Sequence, residues 1–166
     1  MCDIAEKTER SELIERAVRQ YADMIFRLAY QHTGSYHDAE DILQDVAAAL
    51  VAYKAPLTDE PYLKNWLIKV TVNRCRNWNN RKKLRSVQPL DETIPAPEQE
   101  LSEMTELLQK LPEKYRDVLY LHYYEQYTVD EIAELLDRSR NTVGSLLRRG
   151  REKLKIILTE GGYTDD

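Results

Sequence analysis

Long apolar runs are missing from this chain. No stretch approaches the roughly eighteen uninterrupted apolar residues of a membrane span, and the acidic N-terminal segment lacks the apolar centre of a signal peptide, so a cytoplasmic protein without membrane insertion is expected. Cysteine is nearly absent. Cys2 and Cys75 are the only two, neither has a partner at metal-ligand spacing, and so small a number in 166 residues makes no disulfide framework. Histidine is scarce too: His32, His37 and His122 are scattered, with no nucleophile or carboxylate arrangement that reads as catalytic. The expectations are reduced thiols, surface or packing histidines, no metal and no cofactor. With five glycines and a single Phe, the composition is that of a helix-rich protein, and an all-α fold is the first expectation.

Positive charge is in deficit overall, the net charge being -5, which taken as an average argues against a nucleic-acid partner. The charge is blocked, however. Residues 1–60 hold six Lys or Arg against twelve Asp or Glu, and residues 61–90 hold eight basic residues and no acidic one. Residues 91–136 return to three basic against twelve acidic, and residues 138–155 hold seven against one. Two basic blocks set among acidic ones suggest two nucleic-acid faces and at least one face for a basic partner.

The most informative stretch lies in the second basic block and the residues before it. Thr128 is placed to cap a short helix, with Glu131 reaching back to complete a capping box, and Val129, Ile132, Leu135 and Leu136 on one apolar face. Asp137 falls where the chain must turn, a position where a short polar side chain tolerates left-handed backbone. Ser139 then caps a second helix whose buried stripe is Val143, Leu146, Leu147 and Leu154. Asn141, Ser145 and Arg148 face away from that stripe, flanked by Arg140, Gly144, Arg149 and Arg151. A helix-turn-helix lays such a second helix in the major groove, where Asn and Arg read base edges and flanking cations hold phosphates. A solvated basic helix in a bundle carries the same pattern.

Toward the N-terminus, Ser11 is the expected start of a long helix ended by Gly34, and Ser35 caps a second whose buried side is Ala39, Ile42, Leu43, Val46 and Leu50. Asp41, Gln44, Asp45 and Ala48 gather on the outward face. The small residue permits close approach, and the carboxylates and amide offer acceptors to Arg or Lys of another chain; an acidic solvated face is the ordinary alternative. Pro61 suits the first turn of a third helix running to about Leu84. Along it, Tyr62, Trp66, Lys69, Asn73, Arg76 and Asn80 recur every three or four residues as one stripe of aromatic, amide and cationic groups. That chemistry suits opened DNA, because rings stack on unpaired bases while cations hold the backbone. Trp78 shares the side of Leu63, Leu67 and Val70 and reads as core; spacing alone allows Trp66 either role.

Residues 86–99, SVQPLDETIPAPEQ, carry three prolines and no helical period, which predicts a flexible linker and a domain boundary, with domains at 1–85 and 100–166. Fourteen residues reach up to roughly 45 to 50 Å when extended. Beyond them, Leu101, Met104, Leu107, Leu108 and Leu111 mark one helix and Pro112 opens another, bracing the helix-turn-helix.

Three segments together, DAEDILQDV, YLKNWLIKVTVNRCRN and LPEKYRDVLYLHYYEQYTVDEIAELLDRSRNTVGSLLRRGREKL, resemble in order and spacing a bacterial RNA polymerase sigma factor of the extracytoplasmic-function group. The resemblance implies a region that grips the polymerase clamp through Asp41, Gln44 and Asp45, a minus-ten-melting helix containing Trp66 and Asn73, and a minus-thirty-five reader containing Arg148 and Arg149. It also implies three partners, namely core RNA polymerase, promoter DNA and an anti-sigma factor. Ala47 to Ala49 depart from the family pattern after the clamp segment, as do Gly144 and Gly150 in the recognition helix. Two interior glycines are expected to loosen that helix by about 1 kcal/mol each relative to Ala. A helix-turn-helix regulator acting without polymerase leaves the acidic face and the aromatic stripe unexplained.

Overall fold

The structure, a computed structural model, describes residues 2–53, 60–84 and 103–160. The linker expected at 86–99 lies outside these residues, as does the segment 54–59. The described residues form seven α-helices and no strand.

Helix α1 (Cys2–Thr33) is longer than the sequence pattern predicts. Ser11 is interior to it rather than its cap, because the preceding residues contain no Gly or Pro and include several good helix formers; Thr8 Oγ1 donates back to the Ile4 carbonyl at 2.9 Å. Gly34 ends the helix with φ 65°, a left-handed conformation that favours glycine, and its N–H donates to the Tyr30 carbonyl at 2.8 Å. Ser35 accepts from the Asp38 N–H and starts α2 (Tyr36–Ala52), which buries Ala39, Ile42, Val46 and Leu50. Helix α3 (Glu60–Leu84) carries Pro61 in its first turn and buries Leu67, Ile68, Val72 and Cys75. These three helices pack mutually into the N-terminal core.

In the C-terminal half, α4 (Glu103–Gln109) and α5 (Glu113–Leu119) are followed without a break by a π-helical turn, Tyr120–Tyr124. Thr128 and Glu131 form the expected capping box at the head of α6 (Val129–Leu135). Asp137 takes the left-handed turn position with φ 53°, and Ser139 Oγ accepts the Thr142 N–H at 3.1 Å at the start of α7 (Arg140–Glu160). Helix α7 buries Val143, Leu146, Leu147 and Gly150 against α5 and α6. Gly150 is a close approach: a Cβ there would lie 3.0 Å from Leu119 Cδ1 and 3.3 Å from Tyr115 Cβ. The two halves also pack on each other, with α4 and α5 against α1 and α6 against α3.

Candidate functional site

The periodicity of α2 turns one stripe to the core and leaves Asp41, Gln44, Asp45 and Ala48 together on the exposed side. Val51, 65% exposed, extends that face by another turn and was not singled out by the sequence. The face therefore carries two carboxylates and one amide, with an apolar end. Its one local ion pair, His37 Nε2 to Asp41 at 3.7 Å, is long and exposed, leaving Asp41 open to a stronger partner.

On α3, Lys69, Asn73, Arg76 and Asn80 are exposed, as is Tyr62. Trp66 is half-buried, rests against the core and meets the Tyr53 ring at a centroid distance of 4.9 Å. Tyr53 in turn shares a 2.8 Å hydroxyl hydrogen bond with Tyr62. Trp66 is thus braced on one side by its own chain, one turn along the stripe from Tyr62. Tyr53, at the C-terminal end of α2, is the member of this aromatic group that sequence spacing missed, since it comes from another helix. Trp78 packs against the core as expected.

On α7, Asn141, Arg148, Arg149 and Arg151 are exposed and Ser145 is half-buried, so the outward face is the one foreseen. Arg140 Nε lies 3.2 Å from Asp130 in an exposed ion pair, and Arg151 donates to the Tyr123 hydroxyl at 3.1 Å. Arg148 and Arg149 extend from a helix anchored beneath by α5. Nothing lies within 4 Å of a Cβ placed on Gly144, so this glycine, unlike Gly150, answers no packing need.

A polar cluster joining the halves has no signature in local residue spacing. His32 Nδ1 lies 2.9 Å from Glu113 and its Nε2 2.7 Å from Asp117, with the ring side chain only 3% exposed. Burial alone pulls this imidazole toward neutrality, but the charge and hydrogen bonds of Asp117 and Glu113 outweigh it and raise the pKa from 6.5 to about 9. His32 is thus a buried ring whose two carboxylate partners favour its charged form at neutral pH. No cluster of His, Cys, Asp or Glu able to hold a metal ion occurs among the described residues, and no helix there is long and apolar enough to cross a membrane.

A half with an acidic helix face and an aromatic-cationic helix, followed by a capped helix-turn-helix, has the layout of a two-part DNA-reading protein. Residues 17–85 match the family model for sigma-70 region 2 and residues 101–154 that for sigma-70 region 4. The chain belongs to the sigma-70 family, in its extracytoplasmic-function group. It is 25% identical to the RNA polymerase sigma factor SigV of Bacillus subtilis, over 93% of this chain and 96% of that protein. To the ECF RNA polymerase sigma factor SigW of the same organism it is 27% identical, over 84% of this chain and 86% of that one. The fold is similar to that of the sigma factor RpoE in a co-crystal with the anti-sigma factor NepR from Bartonella quintana, with a TM-score of 0.67, 20% identity and coverage of 87% of this chain and 96% of that one.

Proposed function

We infer that this chain is an alternative sigma factor that binds core RNA polymerase and directs it to specific promoters for transcription initiation, with no catalytic activity of its own and a cytoplasmic location. The observation that carries the reading is the ordered succession, in a single chain, of the acidic α2 face, the α3 stripe and the basic helix-turn-helix. In this reading residues 1–85 bind polymerase and the minus-ten element, residues 86–99 link, and residues 100–166 bind the minus-thirty-five element. Asp41, Gln44, Asp45 and Ala48 meet the polymerase clamp. Tyr62, Trp66, Lys69, Asn73, Arg76 and Asn80 hold melted DNA, the two rings by stacking and the others by backbone contacts. Arg140, Asn141, Ser145, Arg148, Arg149 and Arg151 address the upstream duplex. An anti-sigma factor is the expected regulator, a proposal supported by the similarity of fold to a sigma factor crystallised with one.

The test is co-purification with core RNA polymerase. The wild-type chain should be retained, whereas Asp45→Arg should weaken retention by about 2 to 5 kcal/mol if the site is desolvated, because it adds repulsion to the loss of charge-assisted bonds. A wild-type chain that fails to bind core polymerase removes the sigma reading. An Asp45→Arg protein that binds as well as wild type removes the clamp assignment alone.

A further inference from the structure

We propose that Tyr53 is a positioning residue for promoter opening: it fixes the Trp66 and Tyr62 rings in the arrangement that receives unpaired bases, without itself meeting DNA. The inference rests on the reading of the α3 stripe as the surface for melted DNA, and adds to it a residue that the stripe does not contain.

Tyr53 is the first residue past α2, and α1, α2 and α3 all meet on it. Its N–H donates back to the Leu50 carbonyl at 3.2 Å, and its backbone then runs extended, with φ -70° and ψ 119°. Its carbonyl is one of those that a helix end leaves without an intrahelical donor, and it accepts from the Arg10 guanidinium of α1. Arg10 belongs to the stretch by which α1 outruns its expected start at Ser11, so the added length has a use here. Helix ends ordinarily fray. This one is held on its N–H side by α2 and on its carbonyl side by α1.

The side chain points to the stripe rather than to the core. Leu63, Trp66, Val70 and Trp78 of α3 pack on the core, and among the described residues Tyr53 is not one of the side chains that do so. Its ring lies against Trp66, with centroids 4.9 Å apart and planes tilted by 48°, one of the favoured geometries of aromatic pairs. Its hydroxyl shares a hydrogen bond of 2.8 Å with that of Tyr62. A tyrosine that only filled space would need neither contact.

Both contacts act on rings that must be in place before a base arrives. Trp66 has the core on one side and Tyr53 on another, so its indole cannot swing to a new rotamer without losing one support. Tyr62 is 45% exposed, and the hydroxyl bond restricts a side chain that protrudes from the helix. Tyr62 and Trp66 are four residues apart and therefore neighbours on one side of α3. Ordering mobile side chains at the moment of binding costs affinity, and a pair of rings already braced avoids that cost. Tyr53 stands behind both, out of line with the stripe, so its contribution passes through them.

The test is permanganate reactivity of unpaired promoter thymines in holoenzyme, with retention by core polymerase measured on the same proteins. Trp66→Ala should lower reactivity at least about fivefold, the smallest factor expected for one lost base stack. Tyr53→Leu should lower it several-fold while core polymerase retains the variant as it does wild type. Tyr53→Phe keeps the ring against Trp66 and should retain most of the wild-type reactivity. In the double variant Tyr53→Leu/Trp66→Ala the loss should fall clearly short of the product of the two single losses, whereas a residue meeting DNA on its own would multiply them. Wild-type opening by Tyr53→Leu, a Tyr53→Phe protein as impaired as Tyr53→Leu, or multiplying losses would each overturn the proposal and leave Trp66 in its role. Loss of polymerase retention by Tyr53→Leu would overturn it as well, because the side chain would then serve the fold or the clamp contact rather than opening. Wild-type opening by Trp66→Ala would instead remove the stripe reading, and the proposal with it.

Discussion

At the scale of single residues, His32 joins parts of the chain that sequence reasoning treated as separate. Its partners stand 81 and 85 positions away on α5, so no local spacing announces them. By contrast, residues answering a local backbone demand were legible: Thr128, Asp137 and Ser139 each solve a helix-end problem within a few positions, and each sits where expected. The pH dependence of His32 follows from its partners. Its pKa is 6.5 when free and about 9 in the folded chain, so the charged ring stabilises the fold fully below about 6.5, and that contribution is lost as pH rises through 9. The difference corresponds to about 3 kcal/mol. Urea unfolding from pH 6 to 9.5 should show wild type losing stability across this window while His32→Gln stays flatter. The comparison between the two proteins largely cancels Cys75, Tyr120 and Tyr127, whose pKa values burial raises in the fold, so that toward the top of this range only their unfolded forms begin to titrate. Parallel curves for the two proteins would show that the ring is neutral in the fold.

At the scale of elements, helix existence and facing were readable because apolar residues recur at the helical period, whereas extents were not. Helix α1 continues ten residues or so past the expected cap since helix formers without a breaker offer no reason to stop there. The π-helical turn after α5 has no spacing signature, and Tyr53 joins the Trp66 group from a different helix. The two glycines of α7 look equivalent in sequence and are opposite in the fold. Gly144→Ala adds a methyl to open space and should stabilise the protein by about 1 kcal/mol through helix propensity. Gly150→Ala gains the same propensity but forces its Cβ onto Leu119 and Tyr115, and overpacking of this kind costs about 1 to 3 kcal/mol, so the net effect should be destabilising. Denaturant midpoints should therefore move in opposite directions, and a Gly150→Ala midpoint above wild type would mean that α5 and α7 can separate without loss.

At the scale of the whole molecule, the alternation of charge blocks is visible in sequence, but its consequence appears only when the acidic second block is placed. Glu113 and Asp117 come to the end of α1, and Glu125 comes to α3. Negative charge thus sits beside the basic α3, while Arg148 and Arg149 on α7 stay exposed. The free chain should accordingly be a weak promoter binder, and the contribution of α7 to base recognition is best measured in holoenzyme. Arg148 shares a face with Asn141 and Ser145, whereas Arg149 lies roughly a quarter of a turn to the side. If Arg148 reads a guanine edge, Arg148→Ala should cost about 1 to 3 kcal/mol on the preferred upstream element and much less on scrambled DNA. Arg149→Ala should weaken both sequences alike and reduce the slope of log affinity against log salt by about one unit, the signature of one lost phosphate contact. Holoenzyme affinity for specific and scrambled upstream DNA, titrated across salt for both variants, separates the two roles. Equal losses on the two sequences for Arg148→Ala would assign that residue to the phosphates, and specificity would then rest on Asn141 and Ser145.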